Sequence, residues 1–212
     1  MRLVVRDLGQ MAYDDALALQ ERTVAERAAG STSDVLMLVE HEPVYTLGRN
    51  ADPGNITADR DTLARRGIAV KRTGRGGQVT YHGPGQLVGY PILSLRERGH
   101  GVVAYVHALE TMLIRTVAVF GVAGATDAIN HGVWVGSNKI AAIGVRVTRQ
   151  VTMHGFALNV AVSLADYDGI VPCGIRGRGV ASLAQFVPRI TVEEVKPVVI
   201  AQFREVFGYD GA

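Results

Sequence analysis

At 212 residues, 48% of them hydrophobic and 20% charged, the chain is long enough to bury a sizeable core and reads as one domain spanning 1–212. A net charge of +2 is too small to imply nucleic-acid binding, and a single cysteine excludes an intrachain disulfide framework or a cysteine-rich zinc site. The opening Met1-Arg-Leu-Val-Val-Arg-Asp-Leu8 is broken by charges too early for a signal-peptide core, and no uninterrupted apolar run is long enough to cross a bilayer; a soluble, cytoplasmic protein is expected.

Residues 2–6 read as a strand. Tyr13, Leu17, Val24 and Ala28 share a face of a helix over 11–29, with Asp14 and Asp15 in its first turn and Gly30 at its end. The apolar run Val35-Leu-Met-Leu-Val39 predicts a strand buried on both faces. A short helix near 58–66 ends at Gly67, and Ile68-Ala-Val-Lys-Arg-Thr73 predicts a strand. Residues 86–93 predict another, which Pro91 demotes to an edge or a bulge. Val102, Val106, Leu109, Leu113, Val117 and Phe120 mark one face of a long helix stopping at Gly121. Strands follow at 132–135, 139–149 and 151–162, the first two joined by a turn at Gly136-Ser137-Asn138. The last helix opens with a capping box, Thr191 to Glu194, and presents Val195, Val199, Phe203 and Val206; Pro197 predicts a kink or a late start. The sum is a mixed α/β domain whose late strands are hairpins.

Four segments carry chemistry. Cys173 sits in Asp166-Tyr-Asp-Gly-Ile-Val-Pro-Cys173-Gly-Ile-Arg-Gly-Arg-Gly-Val180, a loop rich in glycine where a substrate can approach a thiol closely. A lone cysteine is otherwise a small buried hydrophobe. Gly74-Arg75-Gly76-Gly77-Gln78 frees backbone N–H groups for a ligand or makes a tight hairpin. It is no phosphate loop, because it lacks the Gly-Lys-Ser/Thr ending and runs into the strand pattern Val79-Thr-Tyr-His82 where a helix is required. Lys139 follows a tight turn, where a solvated lysine is the ordinary reading. His154 and Gly155 interrupt an apolar strand, where a histidine is more often core than catalytic.

In this order the segments closely resemble those of the lipoyl(octanoyl) transferases, of the biotin- and lipoate-protein ligase superfamily. The matching pieces are Glu40-His-Glu-Pro-Val-Tyr-Thr-Leu-Gly-Arg49, Arg75-Gly-Gly-Gln-Val-Thr-Tyr-His82, Lys139-Ile-Ala-Ala-Ile-Gly144, His154-Gly-Phe-Ala157 and Pro172-Cys-Gly-Ile175. The family's frequent Thr-Ser-Leu reads Ala181-Ser182-Leu183 here. The resemblance implies an α/β fold like that of the biotin/lipoate-protein ligase catalytic domain, with a mixed, largely antiparallel central sheet flanked by helices. It implies transfer of an octanoyl group from octanoyl-acyl carrier protein, through a thioester on Cys173, to a lysine of lipoyl domains. Acceptors would be the 2-oxoacid dehydrogenase E2 subunits and the glycine cleavage H protein. Cys173 becomes the nucleophile and Lys139 the residue that lowers its pKa. Substrate-site walls would be Arg75, Gly76, Gly77, Gln78, Val79, Thr80, Tyr81 and His82, then Ala142, Ile143 and Gly144, then His154, Gly155, Phe156 and Ala157. Neither metal nor cofactor is implied.

The physics agrees with these roles. A thiol with a pKa of ~8.5 is only about 3% thiolate at pH 7. An ammonium about 4 Å away offers on the order of 4 kcal/mol at an effective dielectric near 20, enough for a shift of two units. Lys71, Arg72, Arg75, Arg176 and Arg178 flank the proposed site, where they would meet acidic carriers. The rival readings are an ATP-dependent lipoate- or biotin-protein ligase, which needs no cysteine, a non-catalytic carrier-binding module, and a papain-like hydrolase using His82 or His154 as base.

Overall fold

The run Val35–Val39 is apolar at every position because both faces of its strand are covered. The computed structural model of the protein describes residues 2–99, 101–128, 130–174 and 177–209, and for Cys173 the backbone alone. Its strand β2 (Asp34–His41) sends Leu36 and Leu38 into one apolar cluster and Val35, Met37 and Val39 into another. Each such residue, once buried, contributes about 1.5–3 kcal/mol.

Around β2 lies a seven-stranded sheet. Beside it run β1 (Leu3–Met11), parallel, and β6 (Gln86–Ile92), antiparallel; then come β9 (Val151–Asn159) and β8 (Asn138–Thr148), also antiparallel. At its start β8 is flanked on one edge by β7 (Gly132–Val135). On the other edge, where β9 has ended, β10 (Gly179–Val180) pairs with Asn138 and Lys139 in parallel. The sheet is therefore mixed and largely antiparallel, as expected. A second sheet joins β3 (Val44–Leu47) to β4 (Ala69–Arg72), parallel, and to β5 (Val79–His82), antiparallel.

Helix α1 (Tyr13–Ala28) covers the face carrying Val35 and Met37; α4 (Val102–Val119) and α5 (Val192–Phe207) cover the other. Two short helices, α2 (Arg60–Arg66) and α3 (Leu95–Arg98), are N-capped by Asp59 and Ser94 and end at Gly67 and Gly99, both left-handed. Although α4 has the length and composition of a membrane span, Leu109, Met112, Leu113 and Val117 sit within the core.

Three expectations change. Strand β6 lies inside the sheet, not at its edge. Its Pro91 is tolerated because the β6–β9 ladder stops at Gly89–Phe156; the Pro91 carbonyl takes Thr152 Oγ1 (2.7 Å) instead, so no backbone donor is missed there. Helix α5 starts on time at Val192, with both halves of its capping box made, and continues through Pro197. In α1 the buried face includes Gln20, Thr23 and Arg27, while Ala28 is exposed.

Candidate active site

The turn Gly136-Ser137 folds β7 back onto β8 and sets Trp134 opposite Lys139. Lys139 is only 7% exposed. The solvated-lysine reading therefore fails. Its Nζ donates to the His131 carbonyl (3.0 Å) and lies 4.7 Å from the centre of the Trp134 ring. The Arg178 guanidinium lies 4.6 Å from the same ring and pairs with Asp127 at 2.6 Å. From β10, the Ala181 N–H reaches the Lys139 carbonyl (2.9 Å), and the Ala181 carbonyl accepts from Asn159 Nδ2 (2.9 Å). Both bonds use backbone at 181, so the alanine there costs neither.

Lys139, Trp134, Asn159, Tyr167 and Arg178 share a cavity of about 390 Å³ of empty space with Pro172, the residue before Cys173. Pro172–Gly174 form a single 3₁₀ turn, anchored by Val171 N–H on the Asn55 carbonyl (2.7 Å) and Gly174 N–H on Val171 (3.0 Å). The Cys173 side chain lies outside the described residues, as do Ile175 and Arg176.

Thr80, Ala142 and Ala157 also line a second, solvent-open cleft of about 500 Å³ between β5 and the β8–β9 hairpin. Arg75, Gly77, Gln78, Val79, His82, Ile143, Gly144, His154, Gly155 and Phe156 complete the expected part of its wall. Gly76 borders a third opening, beside Lys139 and His131. Tyr81 is the exception: pointing away from the cleft, its hydroxyl donates to Asp166 (3.0 Å) within the core of the small sheet. Alternation along a strand accounts for this, since Thr80 and His82 face the other way. Sequence reasoning missed Tyr13, Val88 and Tyr90 in the cleft, and Trp134, Asn159 and Tyr167 around Lys139; Arg178, expected to flank the site, is there as well. Trp134 was recoverable by counting residues across the Gly136-Ser137 turn.

The two histidines at the cleft's inner end are held neutral. Burial, then His41 and Arg75, hold His82 at about 3; burial, then Arg75 and Arg146, hold His154 at about 4. His82 lies 2.7 Å from Gln86 Oε1 through Nδ1, and because the Gln86 amide nitrogen donates elsewhere, the His82 proton is on Nδ1. Tyr90 donates to His41 Nε2 (2.6 Å). Both ring nitrogens of His154 are buried without a partner among the described residues.

The expected ring of cations facing a partner is broken up. Arg75 is 7% exposed and donates to the Thr46 carbonyl and hydroxyl (2.6 and 2.8 Å), acting as a strut behind the glycine loop. Lys71 pairs with Asp14 and Arg178 with Asp127, while Arg72 is exposed.

The family model for the lipoyl protein ligase A/B catalytic domain matches residues 12–204. The chain belongs to this family. A curated octanoyltransferase from Alkaliphilus metalliredigens is 46% identical over 99% of this chain and 97% of its own; another from Acidobacterium capsulatum is 48% identical over 99% and 92%. Among solved structures, a bipartite lipoate protein ligase from Thermoplasma acidophilum, described with its E2 lipoyl domain, superposes with a TM-score of 0.76. At 17% identity, covering 100% of this chain and 86% of that one, this likeness speaks to the fold alone.

Proposed function

We propose that this protein is an octanoyltransferase acting in protein lipoylation, with lipoyl domains as acceptors. The observation that carries its mechanism is Lys139, buried in a cavity whose wall reaches Pro172 and which adjoins a cleft lined by Val79, Val88, Ile143 and Phe156. The ammonium favours the thiolate of Cys173. That sulfur attacks the donor's thioester carbonyl; the acyl–sulfur bond of the donor breaks, and the donor thiolate leaves as a thiol with the proton of the Lys139 ammonium. The acceptor lysine, as a neutral amine, then attacks the Cys173 thioester. An amide forms, the amine's proton is lost, and Cys173 is regenerated. Lys139, left neutral by the first half-reaction, takes that proton and returns to the ammonium. The cleft takes the acyl chain, at about 0.8 kcal/mol for each methylene buried. The donor is octanoyl-acyl carrier protein, the acceptors are E2 and H-protein lipoyl domains, and the setting is the cytoplasm.

Intact-mass analysis after mixing with octanoyl-acyl carrier protein tests this reading. One octanoyl mass, labile to hydroxylamine and absent from Cys173→Ala, is expected. An adduct on another residue, or acyl transfer that requires ATP and free octanoate, would overturn it.

A further inference from the structure

Glu110 is a carboxylate on the mainly apolar buried face of α4, beside Leu109, Met112 and Leu113, and it is 2% exposed. Packing alone gives no reason to bury a charge there. Its partners do. Glu110 Oε1 accepts from Gly132 N–H (3.1 Å) and lies 3.1 Å from His131 Nδ1; Oε2 lies 3.0 Å from His107 Nδ1. Two of these three partners are consecutive residues at the start of β7. Between them lies the His131 carbonyl that Lys139 Nζ grips at 3.0 Å. We propose that Glu110 is a positioning residue: it pins the His131–Gly132 peptide, and that peptide fixes Lys139 in the wall of the cavity that reaches Pro172.

The direction of each bond supports this. A carboxylate held by a peptide N–H and an imidazole fixes the orientation of the peptide plane whose carbonyl faces Lys139. Gly132 has φ 126°, and a Cβ there would overlap the Ala141 carbonyl. The peptide therefore has little room to settle anywhere else. The Trp134 ring, two residues on, lies 4.7 Å from the same ammonium, and its indole N–H donates to the Asn130 carbonyl (3.2 Å). Residues 130–134 form a clasp around Lys139, and Glu110 is its buried anchor.

The catalytic half of this inference rests on the role given to Lys139 above; the positional half does not, so the test reads the two separately. Trace acetic anhydride labels the lysines of the folded protein, and peptide mass spectrometry compares Lys139 with Lys71 and Lys196 as internal standards. In Glu110→Leu, Lys139 should label at least about fivefold faster as its hydrogen bond is released, with both standards unchanged. Octanoyl transfer should lose about tenfold or more in kcat, with KM for a small octanoyl thioester within about twofold. Gly132→Ala displaces the same peptide sterically and should do likewise; it carries the test if Glu110→Leu does not fold. Glu110→Gln, which keeps an acceptor for Gly132, should recover most of both losses. Unchanged Lys139 labelling in a folded Glu110→Leu or Gly132→Ala protein overturns the proposal. Faster labelling with full transfer upholds the positioning and overturns the activator role of Lys139.

Discussion

Lys139 is the residue where pattern and structure pull hardest against each other. After a Gly-Ser turn a lysine is ordinarily solvated, yet this one is 7% exposed and held by a carbonyl and an indole ring. No periodicity predicts that, because both partners come from the other arm of the hairpin. In the role of Cys173 counter-ion proposed above, it should place the iodoacetamide titration of the thiol well below the ordinary ~8.5. Lys139→Met keeps most of the side-chain length and removes the charge. It should raise that curve by at least about one unit, and transfer should fall by ~10²-fold. His82→Gln should move the curve less, because His82 is neutral and committed to Gln86. A curve that ignores Lys139→Met but follows His82→Gln or His154→Gln would assign the activation to a histidine.

At the scale of elements, the strands and long helices were legible because their signals are local: five consecutive apolar residues in β2, a capping box in α5, a glycine after α2. What was not legible depends on which neighbour a strand acquires. Pro91 reads as an edge signal, yet β6 is interior, and only the lapse of the β9 ladder reconciles the two. The two-residue strand β10 carries no pattern at all; it exists because Asn159 and Lys139 supply partners for residue 181. Asn159 is the hub of this join, as its Oδ1 accepts from Gln86 Nε2 and from the Tyr167 hydroxyl (both 2.9 Å). Asn159→Leu would strand these groups in a buried setting and should cost about 2–4 kcal/mol. For a chain of this size that lowers Tm by roughly 5–15 °C. Amide exchange should quicken most over residues 164–174 and 177–181, which adjoin this network. A variant melting within a degree of the parent would show that the hub does not hold the loop.

For the whole molecule, acid stability is governed by groups buried in opposite charge states. His82 and His154 are held at about 3 and about 4 in the folded protein, first by burial and then by nearby cationic groups. In the unfolded chain both return to about 6.5. Below that pH the unfolded state binds more protons than the native one, so stability falls as pH drops from 6.5 towards 4, by up to about 1.4 kcal/mol per unit for each histidine. Asp34 works in a separate window. Burial alone would raise its pKa, but hydrogen bonds from Arg27, Tyr209 and Arg98 hold it below the ordinary 3.8, so its contribution is complete above that value and is lost only at lower pH. Urea midpoints measured from pH 7 to pH 3 should therefore decline in two stages, the first from the histidines and the second from Asp34. His154→Asn isolates the first stage: asparagine tolerates the left-handed backbone at this position (φ 56°) and does not titrate. Its midpoint should fall between pH 6.5 and 4 with a slope roughly one third to one half smaller than the parent's, His82 and His41 still contributing. The second stage, below about pH 4, should be unchanged. A slope equal to the parent's in the upper window would mean that His154 already carries its proton in the folded protein, and the inner end of the cleft would then be cationic rather than neutral.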